Sequence, residues 1–282
     1  MKRLALLVVI VVLFAPQSFA AVNPWIKSLD VATKKAKDGK KMVFVDLFAQ
    51  WCGWCHRFEQ EVTPTEAFQN ATDDMVLLRL NTEDGGEGTR FAQKYDVRSL
   101  PTFLILTPEL NLAAVIRGYF PAPQFAKLVT EAKTKQVDFS NRVKNEAKIA
   151  KDYTKRLDLA REFAARQLYD QSEPRLRKLT SEQGVPKNVR EQAYYDLAVT
   201  QYMSQKHADA LKTIKALLAS SNSGDSVERG RLLSAQIYAD QGNLQLAVNE
   251  LKSFKTAFPN SALLNNVNSL LPAIERQLAT KQ

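Results

Sequence analysis

Val43-Phe44-Val45-Asp46-Leu47-Phe48-Ala49-Gln50-Trp51-Cys52-Gly53-Trp54-Cys55-His56 is the stretch on which the reading of this chain turns. Residues 43–49 form an apolar, β-rich run broken by one carboxylate, the pattern of a strand buried on both faces. Two cysteines follow, separated by two residues, and the 282-residue chain has no others. Phe58 and Val62 continue at helical spacing behind them, so the pair marks the place where a strand turns into a helix. Unpaired backbone N–H groups and the positive end of the helix dipole favour a thiolate there, and the thiolate is the nucleophile of disulfide exchange.

Farther along, Val97-Arg98-Ser99-Leu100-Pro101-Thr102 leads into a second apolar run, 103–107. Together with V-D-L-F-A-x-W-C-G-x-C, in this order and about 50 residues apart, it resembles the thioredoxin family over residues ~24–134. The resemblance implies a thioredoxin fold, a central mixed sheet flanked by helices. It implies a cis Pro101 packed against the cysteine pair, which leaves the Leu100 backbone free to pair with an extended client and keeps the dithiol from capturing metal. It also implies that Cys52 attacks a client disulfide and that Cys55 resolves the mixed disulfide, with no cofactor and no metal. The remaining pattern agrees with that fold. Asn23-Pro24-Trp25 reads as a helix start, with Trp25, Leu29, Ala32 and Ala36 on one face. Thr63-Pro64 interrupts the helix behind the cysteines, 75–80 is a strand, 81–88 a flexible glycine-rich loop and 89–95 a short helix. A hairpin turns at 107–111 and an amphipathic helix covers 123–132. Gly118 stands where relatives carry a glycine that bulges the last strand.

The two ends of the chain differ from this middle. Lys2 and Arg3, the apolar run 4–14, Pro16 and Ser18-Phe19-Ala20 read as a signal peptide over 1–20, which places the protein in an oxidising periplasm. The alternative is an uncleaved anchor, for which an apolar core of eleven residues is short. The net charge of +9 becomes +7 without Lys2 and Arg3. Export excludes nucleic acid as a partner, and the basic balance fits acidic clients, an anionic membrane surface or an unselected surface. The domains are then 21–134, thioredoxin-like; 135–149, a linker or helix start; and 150–282, all-α. In that last part Ala160, Ala198 and Ala235 lie 38 and 37 residues apart, as do Ser172, Ala210, Ala247 and Leu176, Ile214, Leu251. Tyr238, Gly242, Ala247 and Pro259 keep tetratricopeptide-like spacings, while Gln201 stands where Tyr238 does. This half resembles three tetratricopeptide-like hairpins, 150–186, 187–225 and 226–261, with a capping helix 262–280. Such arrays present surfaces for a protein partner.

Cys52, first in the pair at the exposed helix start, is the candidate nucleophile, and Cys55, a turn further in, the resolving thiol. Asp46 is costly to ionise inside an apolar strand, so its pKa should rise toward neutrality, where it can accept the Cys55 proton. Alternatively it is satisfied by Arg79 on the next strand. Trp51 and Trp54 flank the pair as an apolar docking rim beside Gly53, with core packing the alternative for Trp51. Tryptophan at position 54 holds a thiolate neither by charge nor by rigidity, which argues against a strong oxidant. His56 is read as a solvent-facing residue that tunes the thiols, and His207 as surface. Cys52-Gly53-Trp54-Cys55-His56 also spells CxxCH, the c-type haem pattern. The expected function is therefore an exported thiol–disulfide oxidoreductase, leaning to reductase or isomerase, fed by a membrane-borne thiol donor. The alternatives are a redox-switched adaptor and a c-type haem protein.

Overall fold

A computed structural model describes residues 24–280. The signal-peptide reading of 1–20 and the cap assigned to Asn23 lie outside them. The first part runs α1 (Leu29–Gly39), β1 (Val43–Phe48), α2 (Gly53–Glu61), α3 (Glu66–Thr72), β2 (Val76–Asn81), α4 (Glu87–Lys94), β3 (Thr102–Leu106), β4 (Leu112–Arg117) and α5 (Ala122–Lys144). The strands form one sheet in the order β2-β1-β3-β4. β1 pairs parallel with β2 and antiparallel with β3, and β3 pairs antiparallel with β4. This is a thioredoxin fold.

The alternation along β1 explains the two cores. Val43, Val45 and Leu47 point to one face and pack with Ala32 and Ala36 of α1 and Phe91 of α4. Phe44 points to the other and packs with Phe58, Phe68, Phe103 and Phe125, from α2, α3, β3 and α5. Asp46 shares that second face by the same period of two, which places it on the α2 side of the sheet. Phe44 lies 5.5–6.0 Å, centroid to centroid, from the rings of Trp25, Phe68, Phe103 and Phe125. Phe44→Ala should destabilise the protein by about 3–5 kcal/mol, read as a lowered denaturant midpoint, because the aromatic cluster cannot collapse onto the hole.

Several boundaries differ from the sequence reading. The first helix starts at Leu29, not Pro24, because Ser28 caps it. The preceding segment instead bridges the β2 edge, with Ile26 N–H donating to Leu77 O and Arg79 N–H to Ile26 O, both at 2.8 Å. Loop 81–88 is tied down rather than flexible. Asp84 accepts from the backbone N–H groups of Gly86, Gly88 and Thr89, which hold its carboxyl down at about 2. Gly88 is required there, since a Cβ would sit 1.9 Å from the Asn81 carbonyl oxygen. The bulge between β3 and β4 falls near the hairpin, between Ile105 and Leu106, while Gly118 ends β4 at φ +87°. Residues 123–132 are only the start of α5, which continues through 135–144, followed by a 3-10 turn over Glu146–Ile149.

Seven helices follow: α6 (Tyr153–Ala165), α7 (Tyr169–Ser181), α8 (Lys187–Met203), α9 (His207–Ser220), α10 (Asp225–Asp240), α11 (Leu244–Ala257) and α12 (Leu264–Ala279). The first six make three antiparallel pairs whose turns repeat. Gln167, Gln205 and Gly242 each take a left-handed φ, of 59°, 63° and 75°. The next amide in each turn reaches back five residues, from Leu168 to Phe163, Lys206 to Gln201 and Asn243 to Tyr238. All nine positions that recur at 37–38 residues are buried. Gln201 is buried as well, its amide 2.7 Å from the Thr213 hydroxyl. Arg166, the C-cap of α6, ties this part to the sheet. It bonds Gln136 of α5 and the Ala113 carbonyl of β4, and lies 4.1 Å over the Phe139 ring. Among the described residues no helix is long and apolar enough to cross a membrane.

Candidate functional site

β1 ends at Phe48 and the chain turns through Ala49, Gln50 and Trp51 to Cys52, the N-cap of α2. Cys52 and Cys55 are joined by a disulfide, S–S 2.07 Å. Cys52 Sγ accepts the Cys55 N–H at 3.1 Å, the capping bond that would stabilise a thiolate after reduction. The sulfurs are less open than the sequence implied, since Cys52 is 3% and Cys55 1% exposed. They pack with Ala49, Phe48 and Leu100, and it is Leu100 on the loop before β3 that contributes to their cover. The Leu100–Pro101 bond is cis, Pro101 is buried, and its carbonyl accepts the Gly118 N–H at 2.9 Å.

Around this covered disulfide the surface is aromatic. Trp51 is 69% and Trp54 54% exposed, so Trp51 is rim and not core. Both are held in place. Trp51 donates from Nε1 to Glu83 Oε1 at 2.8 Å, so the tied loop after β2 orients it. Trp54 lies 5.4 Å from Tyr119, and the Arg57 guanidinium covers both rings at 5.4 and 5.1 Å. Glu61 closes the arrangement, accepting from the Tyr119 hydroxyl at 2.5 Å and from Arg57 Nε at 2.9 Å. Tyr119, Arg57 and Glu61 were not legible as site residues; the one signal for Tyr119 was its place beside Gly118. Gly53 is exposed between the tryptophans and carries no Cβ contact.

Asp46 is 2% exposed, and burial raises its carboxyl from the ordinary 3.8 to about 7 against the lowering pull of Arg79. Arg79 stands opposite it in the β1–β2 register, with Nε 3.2 Å from Asp46 Oδ2. Asp46 thus has a raised carboxyl beside a basic neighbour that makes no hydrogen bond to it. His56 is exposed and its Nε2 meets the Gln50 carbonyl oxygen at 2.7 Å. The CxxCH residues do not fit a c-type haem, because the sulfurs are bonded to each other and covered while the imidazole is turned onto its own loop. His207 stacks on Tyr202 at 5.5 Å and is half-buried.

A capping disulfide at the start of α2, on a β2-β1-β3-β4 sheet and packed against Leu100 of the loop before β3, defines a thioredoxin-like, thiol–disulfide oxidoreductase-like domain. A family model described as a thioredoxin-like domain matches residues 29–133. The chain is similar to the probable protein disulfide-isomerase A6 of Medicago sativa, 27% identical over 128 residues, 45% of this chain and 34% of that one. It is also similar to the thiol:disulfide interchange protein DsbD of Yersinia pestis (strain Pestoides F), 32% identical over 88 residues, 30% of this chain and 15% of that one. The chain thus spans well under two thirds of the length of either relative. Among solved structures, a thioredoxin from Thermus thermophilus superposes with a TM-score of 0.38 at 21% identity, covering 40% of this chain and 89% of that one. The DsbH oxidoreductase superposes with a TM-score of 0.38 at 15% identity, covering 43% and 91%.

Proposed function

We propose that this protein exchanges disulfides with polypeptide clients through Cys52 and Cys55, as an exported reductase or isomerase. The observation that carries the reading is the redox pair at the N-cap of α2, with Leu100 packed against it. In the reducing direction the Cys52 thiolate attacks one sulfur of a client disulfide. That S–S bond breaks, a Cys52–client bond forms, and the other client sulfur leaves as a thiolate. Cys55 gives its proton to Asp46 and attacks Cys52 Sγ. The Cys52–Cys55 bond forms, the second client thiolate is released, and two electrons have passed to the client. A dithiol donor must then reduce the protein, and a membrane-borne thiol relay is the donor that suits export. Trp51, Gly53 and Trp54 frame the approach of the client, and the Leu100 backbone pairs with it.

We read the three helical pairs as tetratricopeptide-like and as the surface that holds a protein partner beside the site. Arg166, which joins the end of α6 to β4 and α5, supports a fixed placement of these pairs on the domain that carries the site. The test is catalytic reduction of insulin by the full-length protein with excess dithiothreitol. Precipitation of the insulin B chain should begin earlier with catalytic amounts of protein than with dithiothreitol alone. An onset no earlier than that control, from protein whose disulfide has been shown to reduce, would remove the turnover and favour the redox-switched adaptor.

A further inference from the structure

Arg79 lies between two carboxylates and divides itself unequally. Its Nε is 3.2 Å from Asp46 Oδ2, yet the two are not aligned as a hydrogen bond, and Arg79 Nε and Asp46 Oδ1 are both buried without a hydrogen-bond partner. The forked face of the guanidinium goes to Glu59 of α2. Nη2 donates to Oε2 at 2.9 Å and Nη1 donates to Oε1. The guanidinium also rests on the Phe48 ring at 4.3 Å, which fixes its plane. A fork left free beside a buried carboxylate turns to bond it with both prongs, because paired charge-assisted bonds are the strongest contact either group can make there. Glu59 prevents that by occupying the fork first. It is partly exposed, four residues after Cys55 on α2, and its hydrogen bonds from Arg79 hold its own carboxyl below the ordinary range. The clamp therefore persists while Asp46 titrates.

We propose that Glu59 is a positioning residue which holds the Arg79 fork away from Asp46 and so leaves Asp46 free to take up and release a proton during exchange. This rests on the role given to Asp46 above. The charged groups around Asp46 are Arg79 from β2 and Glu59 from α2, with His56 and Lys27 acting in turn on Glu59. β3 sets the uncharged Phe103 opposite it.

The experiment follows the Asp46 carboxyl carbon by NMR across pH 4–9 in the full-length oxidised protein. Glu59→Gln should lower its titration midpoint by at least about one unit, tenfold in the acid constant, as Arg79 closes on Asp46. Repeating the change in an Arg79→Gln background should move the midpoint by less than about a third of that, since no fork remains to release. If that background does not fold, Arg79→Lys serves, because an ammonium keeps the charge but lacks the two-pronged face. An unmoved midpoint in Glu59→Gln overturns the proposal. So does a shift of equal size in both backgrounds, which would make Glu59 a plain negative charge acting through space. The titration needs no client, so its outcome is independent of the insulin result.

Discussion

Cys52→Ser is expected to lose insulin-reducing turnover by on the order of 10³-fold or more, while Cys55→Ser loses turnover yet holds its clients. The asymmetry follows from position. Cys52 caps α2 and its Sγ already accepts an amide N–H, so after reduction it is the sulfur best placed to exist as an anion. Cys55 lies inside the first turn and is almost completely covered, so it reaches no partner except Cys52. Replacing Cys55 stops resolution after the first bond exchange and leaves the client joined to Cys52. Expressed in the native host, Cys55→Ser should therefore give high-molecular-weight adducts on non-reducing gels that dithiothreitol dissolves, and the double serine variant none. Because only 3% of Cys52 is exposed in the oxidised form, cover that includes Leu100 must shift before attack. Iodoacetamide should then label one thiol of the reduced wild type quickly and the second slowly. Equal labelling of both, or adducts carried by Cys52→Ser instead, would reverse the assignment.

The site was legible where chemistry and secondary structure share one short stretch. A buried strand followed by two cysteines at a helix start fixes the fold, the pair and the carboxylate on the α2 face, because the period of two along β1 alone puts Asp46 beside Phe44. Pro101 was legible through its strand. What was hidden depends on contacts between distant segments. Glu83 orients Trp51 from 32 residues away, and Tyr119 reaches Glu61 across 58. Neither residue carries a local pattern, since a surface glutamate or tyrosine reads the same whether or not a partner waits for it. The cover on Cys52 is of the same kind, because it comes partly from Leu100 on another loop. The helical half shows the reverse case. Its register was readable at 37–38 residues, and the backbone repeats there although Gln167 and Gln205 take the left-handed turn that Gly242 adopts without a Cβ penalty. The continuation of α5 through 135–144 was not readable, because a polar Lys- and Asn-containing segment looks the same as linker until Phe139 is seen against Phe163.

Asp46→Asn should slow exchange near neutral pH by about 10–100-fold and make the protein more stable there, two effects of opposite sign from one carboxyl. Burial raises the folded-state pKa of Asp46 from 3.8 to about 7. Between those values the folded chain keeps a proton that the unfolded chain has released, so stability falls as pH rises through the window. Below about pH 4 both states are protonated and the carboxyl costs nothing. Above about 7 the folded state carries a buried anion with one oxygen unbonded, and the penalty is complete. Asparagine has no such titration. The variant should therefore match the wild type in urea midpoint near pH 4 and exceed it near pH 8, by an amount on the order of a few kcal/mol. Turnover behaves the other way. On the proposed mechanism the anionic form of Asp46 takes the Cys55 proton, so the wild-type rate of resolution should climb through about pH 7, and the asparagine variant should lack that limb. A group kept only for packing would leave the rate profile unchanged. A group serving only as an ion-pair partner of Arg79 would make the variant less stable at pH 8, not more. The observation that separates all three is a pair of pH series on one variant, stability and rate, crossing in opposite directions near the same pH.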